Sequence, residues 1–118
     1  MDDFSKTLMG LSALAQDTRL RVFRYLMKAT PEGIQAGKIS EELNVAPNKL
    51  SAHLTILVNA GLLSVERDGR RMIYKTEIGA VSHLISMLVE TCCDNNPSIC
   101  KALNQATQQS CKTPELVG

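Results

Sequence analysis

A chain of 118 residues with formal net charge +1 has room for one small domain. Its near-neutrality disfavours a constitutive DNA-packing protein, and its lack of tryptophan disfavours recognition of single strands by base stacking. Asp2 and Asp3 stand where a signal peptide carries its basic start, and no run reaches the roughly 18 apolar residues of a membrane span. A cytoplasmic chain with no membrane partner and reduced thiols is therefore expected.

Residues 4–14 place Phe4, Leu8, Leu11 and Leu14 at helical spacing. Asp17 is the expected N-cap of a second helix, Thr18 to Lys28, whose apolar positions are Leu20, Val22, Phe23, Leu26 and Met27. Arg19, Arg21 and Arg24 on that helix read as a solvated face with some salt bridges. Thr30-Pro31-Glu32-Gly33 is a turn.

Residues 36–63, AGKISEELNVAPNKLSAHLTILVNAGLL, then read as two short helices and a tight turn. Ile39 and Leu43 mark one face of the first. Asn44-Val45-Ala46-Pro47 breaks it, since proline cannot continue a helix but fits the first turn of a new one. The second helix runs from about Pro47 to Asn59, with Leu50, Leu54 and Leu57 on its buried stripe. Asn48, Ala52, Thr55 and Asn59 lie opposite, flanked by Lys49 and Ile56 on one side and Ser51 on the other. Short polar side chains and a cation suit a helix that enters a DNA major groove.

Leu62 to Arg67 and Arg71 to Lys75 are two β-prone runs around Asp68-Gly69-Arg70, a hairpin signal. A helix-turn-helix followed by a basic hairpin is a winged helix, mainly α with a small β-hairpin. Asn48, Lys49, Ser51, His53 and Thr55 are expected at base edges or nearby phosphates of double-stranded DNA. Arg67, Arg70 and Arg71 are expected to hold the backbone. His53 lies roughly 60° from the buried stripe, so a half-buried, hydrogen-bonded role is its alternative.

Glu77 to Cys93 reads as one long helix with an apolar stripe of Ile78, Val81, Leu84, Ile85, Leu88 and Val89. So small a domain has little core left to cover it, so pairing with a second copy, joined by the first helix, is expected; packing against its own domain is the alternative that periodicity leaves open. Such a homodimer sets two recognition helices about 34 Å apart and predicts an inverted-repeat operator. Asp94-Asn95-Asn96-Pro97 is expected to end that helix, and Ser98 to about Gln108 to form a short last one. Residues 1–110 thus form the DNA-binding and dimerisation domain, and 111–118 a flexible tail.

Cys92, Cys93 and Cys100 fall around that turn, with Cys111 in the tail. Three soft thiolates suit trivalent arsenic or antimony, whereas structural zinc takes four ligands. Cys111 is the candidate fourth ligand for zinc, cadmium or lead. His83 lies too far from Cys92 to join and reads as a surface or interface histidine. A redox switch, closing a Cys93–Cys100 or intersubunit disulfide, is the alternative use of the thiols. A thiol oxidoreductase or metal carrier lacks support from any Cys-x-x-Cys at a helix start, and no nucleophile–base pair or phosphate loop suggests an enzyme.

Leu14-Ala15-Gln16-Asp17-Thr18-Arg19-Leu20-Arg21, Ser51-Ala52-His53-Leu54, Ala60-Gly61-Leu62-Leu63 and Arg67-Asp68-Gly69-Arg70-Arg71 with Tyr74 together resemble the ArsR/SmtB family of metal-responsive winged-helix repressors. The resemblance spans roughly residues 5–91. It implies a homodimer that binds operator DNA and lets go when an inducer binds, with no constitutive cofactor. Many arsenic-sensing relatives carry a Cys-x-Cys motif before the recognition helix; Gln35, Gly37 and Ser40 stand there instead. The paired zinc ligands of other members are missing too, since His83 stands alone. What remains resembles the arsenic-responsive members with three cysteines near the C-terminus. Arsenite or antimonite at Cys92, Cys93 and Cys100 is the expected inducer site.

Overall fold

Among the residues that the computed structural model describes, eight elements follow one another: α1 (Asp3–Leu14), α2 (Asp17–Lys28), β1 (Ile34–Gln35), α3 (Ala36–Leu43), α4 (Pro47–Asn59), β2 (Leu63–Asp68), β3 (Arg71–Thr76) and α5 (Ile78–Asn95). Residues 2–29, 31–95, 98 and 102 are described, the side chains of 90–95 excepted. The chain divides into two compact units, Met1–Leu84 and Ile85–Gly118. The strands form one antiparallel sheet in the order β1-β3-β2. This is the expected winged helix-turn-helix, mainly helical with a small sheet.

Local chemistry explains the boundaries. Asp2 caps α1 by accepting from the Ser5 backbone N–H at 2.8 Å, which holds its carboxyl below the ordinary value. The cap of α2 is Gln16, whose side chain accepts from the Arg19 N–H at 2.8 Å. That corrects the expectation for Asp17. Gln16 reaches the free N–H first, and Asp17 sits inside the first turn, bridging Arg21 at 3.0 Å.

α3 stops at Asn44, which adopts the left-handed conformation at φ 54°. The N–H groups of Asn44 and Val45 return to Glu41 and Ser40 carbonyls, closing the last turn before Pro47 begins α4. α4 ends the same way. Gly61 at φ +83° lets its own N–H reach the Val58 carbonyl and that of Leu62 the Leu57 carbonyl.

The core packs under the paired helices. Val22 and Leu26 of α2, Ile39 of α3, and Leu50, Leu54 and Leu57 of α4 are all less than 2% exposed. Burying each such side chain contributes about 1.5–3 kcal/mol. The same leucines fix the rotation of α4, so the opposite face must point outward.

Three further differences from the sequence reading have physical causes. The hairpin loop is two residues, Gly69 and Arg70, because Asp68 still pairs with Arg71; positive φ at Gly69 supplies the bend of a tight hairpin. β1 was not expected: Ile34 pairs with Tyr74 and Gln35 with Ile73, and two residues are too few to show alternation. α5 runs on through Asp94 and Asn95, because the residue disfavoured in a helix is Asn96, just before Pro97. Of the expected last helix only Ser98 and Ala102 are described, both helical; the remainder, with the tail, lies outside the described residues.

Candidate nucleic-acid interface

Pinned by Leu50, Leu54 and Leu57, α4 exposes Asn48, Lys49, Ser51, Ala52, Thr55 and Asn59. It therefore presents a polar, unbulky surface with one cation. The Thr55 hydroxyl donates to the Ser51 carbonyl at 2.9 Å. Thr55 thus offers an acceptor and a methyl group outward, the latter suited to a thymine methyl. Ile56, 41% exposed, adds an apolar flank.

His53 stands apart from these. It is half-buried, and its Nδ1 lies 3.4 Å from Arg19 Nη1. Arg19 Nε in turn donates to the Ala13 carbonyl at 2.7 Å. Arg19 is thus no solvated residue, as the sequence suggested; it is half-buried and ties α4 to the C-terminal end of α1. Accepting at Nδ1 leaves His53 Nε2 to carry the ring proton. The signal available in sequence was the pairing of a helix-start arginine with a histidine beside the buried stripe, which spacing alone does not join. A double-mutant cycle of Arg19→Ala and His53→Ala should show a coupling of about 0.5–3 kcal/mol in denaturant unfolding. Costs that add to within about 0.5 kcal/mol would mean the contact carries nothing.

The wing carries its cations in two states. Arg71 Nη2 lies 3.6 Å from Asp68 and Lys75 Nζ 3.5 Å from Glu66. These are exposed pairs that contribute little to stability. Arg67 and Arg70 make no ion pair among the described residues. They are exposed at and beside the hairpin tip, the arrangement that suits phosphate oxygens.

Cys92 and Cys93 occupy the final turn of the α5 backbone. Their side chains, with Cys100 and Cys111, lie outside the described residues. Among the described residues no group of three or more His, Cys, Asp or Glu side chains converges to hold a metal. His83 is exposed, with Nε2 3.7 Å from Asp3, in keeping with a surface or interface histidine. No helix of the described residues is long and apolar enough to cross a membrane.

Residues 14–66 match the family model of a helix-turn-helix domain. Over 88 residues the chain is 31% identical to an uncharacterized HTH-type transcriptional regulator, YbzH of Bacillus subtilis, covering 64% of this chain and 88% of that one. It is 26% identical over 83 residues to a probable mercury resistance operon repressor of Streptomyces lividans, covering 70% of this chain and 64% of that protein. Among solved structures it resembles a possible transcriptional regulator for arsenical resistance (TM-score 0.61, 22% identity, 70% of this chain and 82% of that one). A second is the homodimeric winged helix-turn-helix domain of Mb0332 from Mycobacterium bovis, a possible ArsR-family regulator (TM-score 0.60, 22% identity, 75% and 81%).

Proposed function

The chain belongs to the helix-turn-helix transcriptional regulators, with the winged fold of the ArsR family, and we propose that it is a homodimeric repressor released from its operator by trivalent arsenic or antimony. The observation that carries the DNA reading is that the first compact unit presents two complementary surfaces. The polar face of α4 is turned outward by its buried leucines, and Arg67 and Arg70 on the wing make no ion pair among the described residues. Asn48, Lys49, Ser51 and Thr55 read or flank base edges, and Arg67, Arg70 and Arg71 hold phosphates. His53 serves by holding α4 through Arg19.

Dimerisation uses the helices at the two ends. Phe4 and Leu8 stand exposed one turn apart on α1, and Ile78 is exposed at the start of α5. In the second unit, Ile85 and Leu88 continue the exposed apolar positions of α5. Two copies then set their α4 helices about one DNA turn apart, on an inverted repeat.

The inducer site is Cys92, Cys93 and Cys100. Support comes from the soft chemistry of three thiols in a short span, and from relatives whose own names concern mercury and arsenical resistance. Arsenous acid would form three S–As bonds and release three waters, leaving the arsenic oxidation state unchanged. Binding at the end of α5 would couple to DNA through the dimer, at about 1–3 kcal/mol or roughly 5–150-fold in affinity.

The test titrates reduced dimer onto operator DNA with and without arsenite, alongside native mass spectrometry. The wild type should take one arsenic per protomer with loss of three protons and leave the operator. Cys92→Ser should bind operator normally and stay bound. Release of that variant by arsenite would sink the site. A wild type that takes up no arsenic but leaves DNA on mild oxidation would make the thiols a disulfide switch.

A further inference from the structure

A second cationic feature lies on the other side of the wing from β2. α2, β1, α3 and β3 enclose an open cleft of about 450 Å3 whose lining includes Tyr25, Lys28, Lys38, Arg71 and residues 33–35. Three of its lining side chains are cations and none is a carboxylate. Lys28 and Lys38 make no ion pair among the described residues. Arg71 has only its exposed bridge to Asp68, 61% and 69% exposed on the two sides, which water and a stronger anion readily displace.

The backbone reinforces the same sign. α3 begins here, and its N-cap Gln35 gives no side-chain hydrogen bond. The first-turn N–H groups of α3 have no intrahelical acceptor, and the helix start favours negative charge. A Cβ built on Gly37 would meet nothing within 4 Å, so the approach is open. The α2 carboxyl end, which would oppose an anion, has carbonyls already engaged: Leu26 accepts from the Ala29 N–H and Ala29 from the Gly33 N–H.

We propose that this cleft is a second backbone-phosphate site, in which Lys28 and Lys38 with Arg71 grip a phosphodiester beside the one held by the wing tip. It deepens, and rests on, the DNA-binding reading above. DNA is the occupant favoured over a free anion because Arg71 belongs to the wing strand and follows Arg70 directly. A phosphate strand crossing the wing tip therefore continues toward α3. Neither lysine stood out in sequence. Lys28 reads as an ordinary helix-end cation, and Lys38 lies ten residues away across a turn.

The test measures operator affinity against salt for the full-length dimer. Lys28→Ala and Lys38→Ala should each lower the slope of log K against log salt by about one, equally on specific and non-specific DNA. Lys6→Ala, which removes the same charge from α1, should leave the slope unchanged. Thermal melts should be unaltered, since both cleft lysines are exposed. Slopes unchanged in both cleft variants would overturn the proposal. It would fall equally if inorganic phosphate raised the melting temperature through these lysines while the DNA slope stayed fixed, for then the cleft takes a free anion. A wild type that binds no duplex DNA would remove the parent reading as well, whereas a normal wild type with silent lysines removes this one alone.

Discussion

In the dimer proposed above, Leu8→Asp is expected to separate the protomers and to cut operator affinity by about a hundredfold or more. Leu8 is 54% exposed and Phe4, one turn earlier, 65% exposed. Large apolar groups at that spacing are left more than half exposed by the described residues. In a two-fold dimer each is buried twice, once from each protomer, and each burial contributes about 1.5–3 kcal/mol. Aspartate there removes the gain and adds the cost of desolvating a charge. Separate protomers lose the effective concentration that joins two half-sites, worth about a hundredfold to ten-thousandfold. Sedimentation equilibrium and operator titration check both halves of the expectation. Leu8→Met should keep the dimer, because volume and polarity are conserved. A Leu8→Asp protein that remains dimeric would move the interface away from α1.

The elements that place the DNA-facing surface were readable in advance because several local signals coincide on them. α4 begins at Pro47 and ends at Asn59 as its leucine spacing and flanking breakers require. The hairpin follows from β-prone runs around Asp68-Gly69. What stayed hidden depends on partners distant in sequence. β1 exists only because β3 offers an edge to two residues that show no pattern of their own. Arg19 looked like one arginine among three on a helix, and only the fold brings it to His53, 34 residues away. The Lys28–Lys38–Arg71 cleft is likewise assembled from three separate elements. Asp17 misled because a capping residue type in the right place was outreached by its neighbour Gln16.

The cleft and the wing share one weak point at Gly33, just before β1, and it sets the second large expectation. Gly33→Ala should destabilise the fold by roughly 2–4 kcal/mol. Gly33 has φ +85°, and a Cβ there would lie 2.8 Å from the Tyr74 carbonyl oxygen, 3.0 Å from Ile73 Cγ2 and 3.1 Å from Lys75 Cβ. The left-handed conformation alone costs a non-glycine residue about 1–2 kcal/mol. The approach to Tyr74 adds more, because that oxygen is backbone in a paired strand and cannot rotate away. Gly61→Ala separates the two terms: φ is nearly the same at +83°, but nothing lies within 4 Å. It should cost only about 1–2 kcal/mol. In denaturant titration the gap between the variants measures the contact of Gly33 with β3. A real gap, with a larger fall in operator affinity for Gly33→Ala at temperatures where both variants are folded, would mean that β1 docking holds α3 and its Lys38 against the wing. Equal costs would mean the strand shifts freely, and that the position of α3 is set by Ile39 in the core instead.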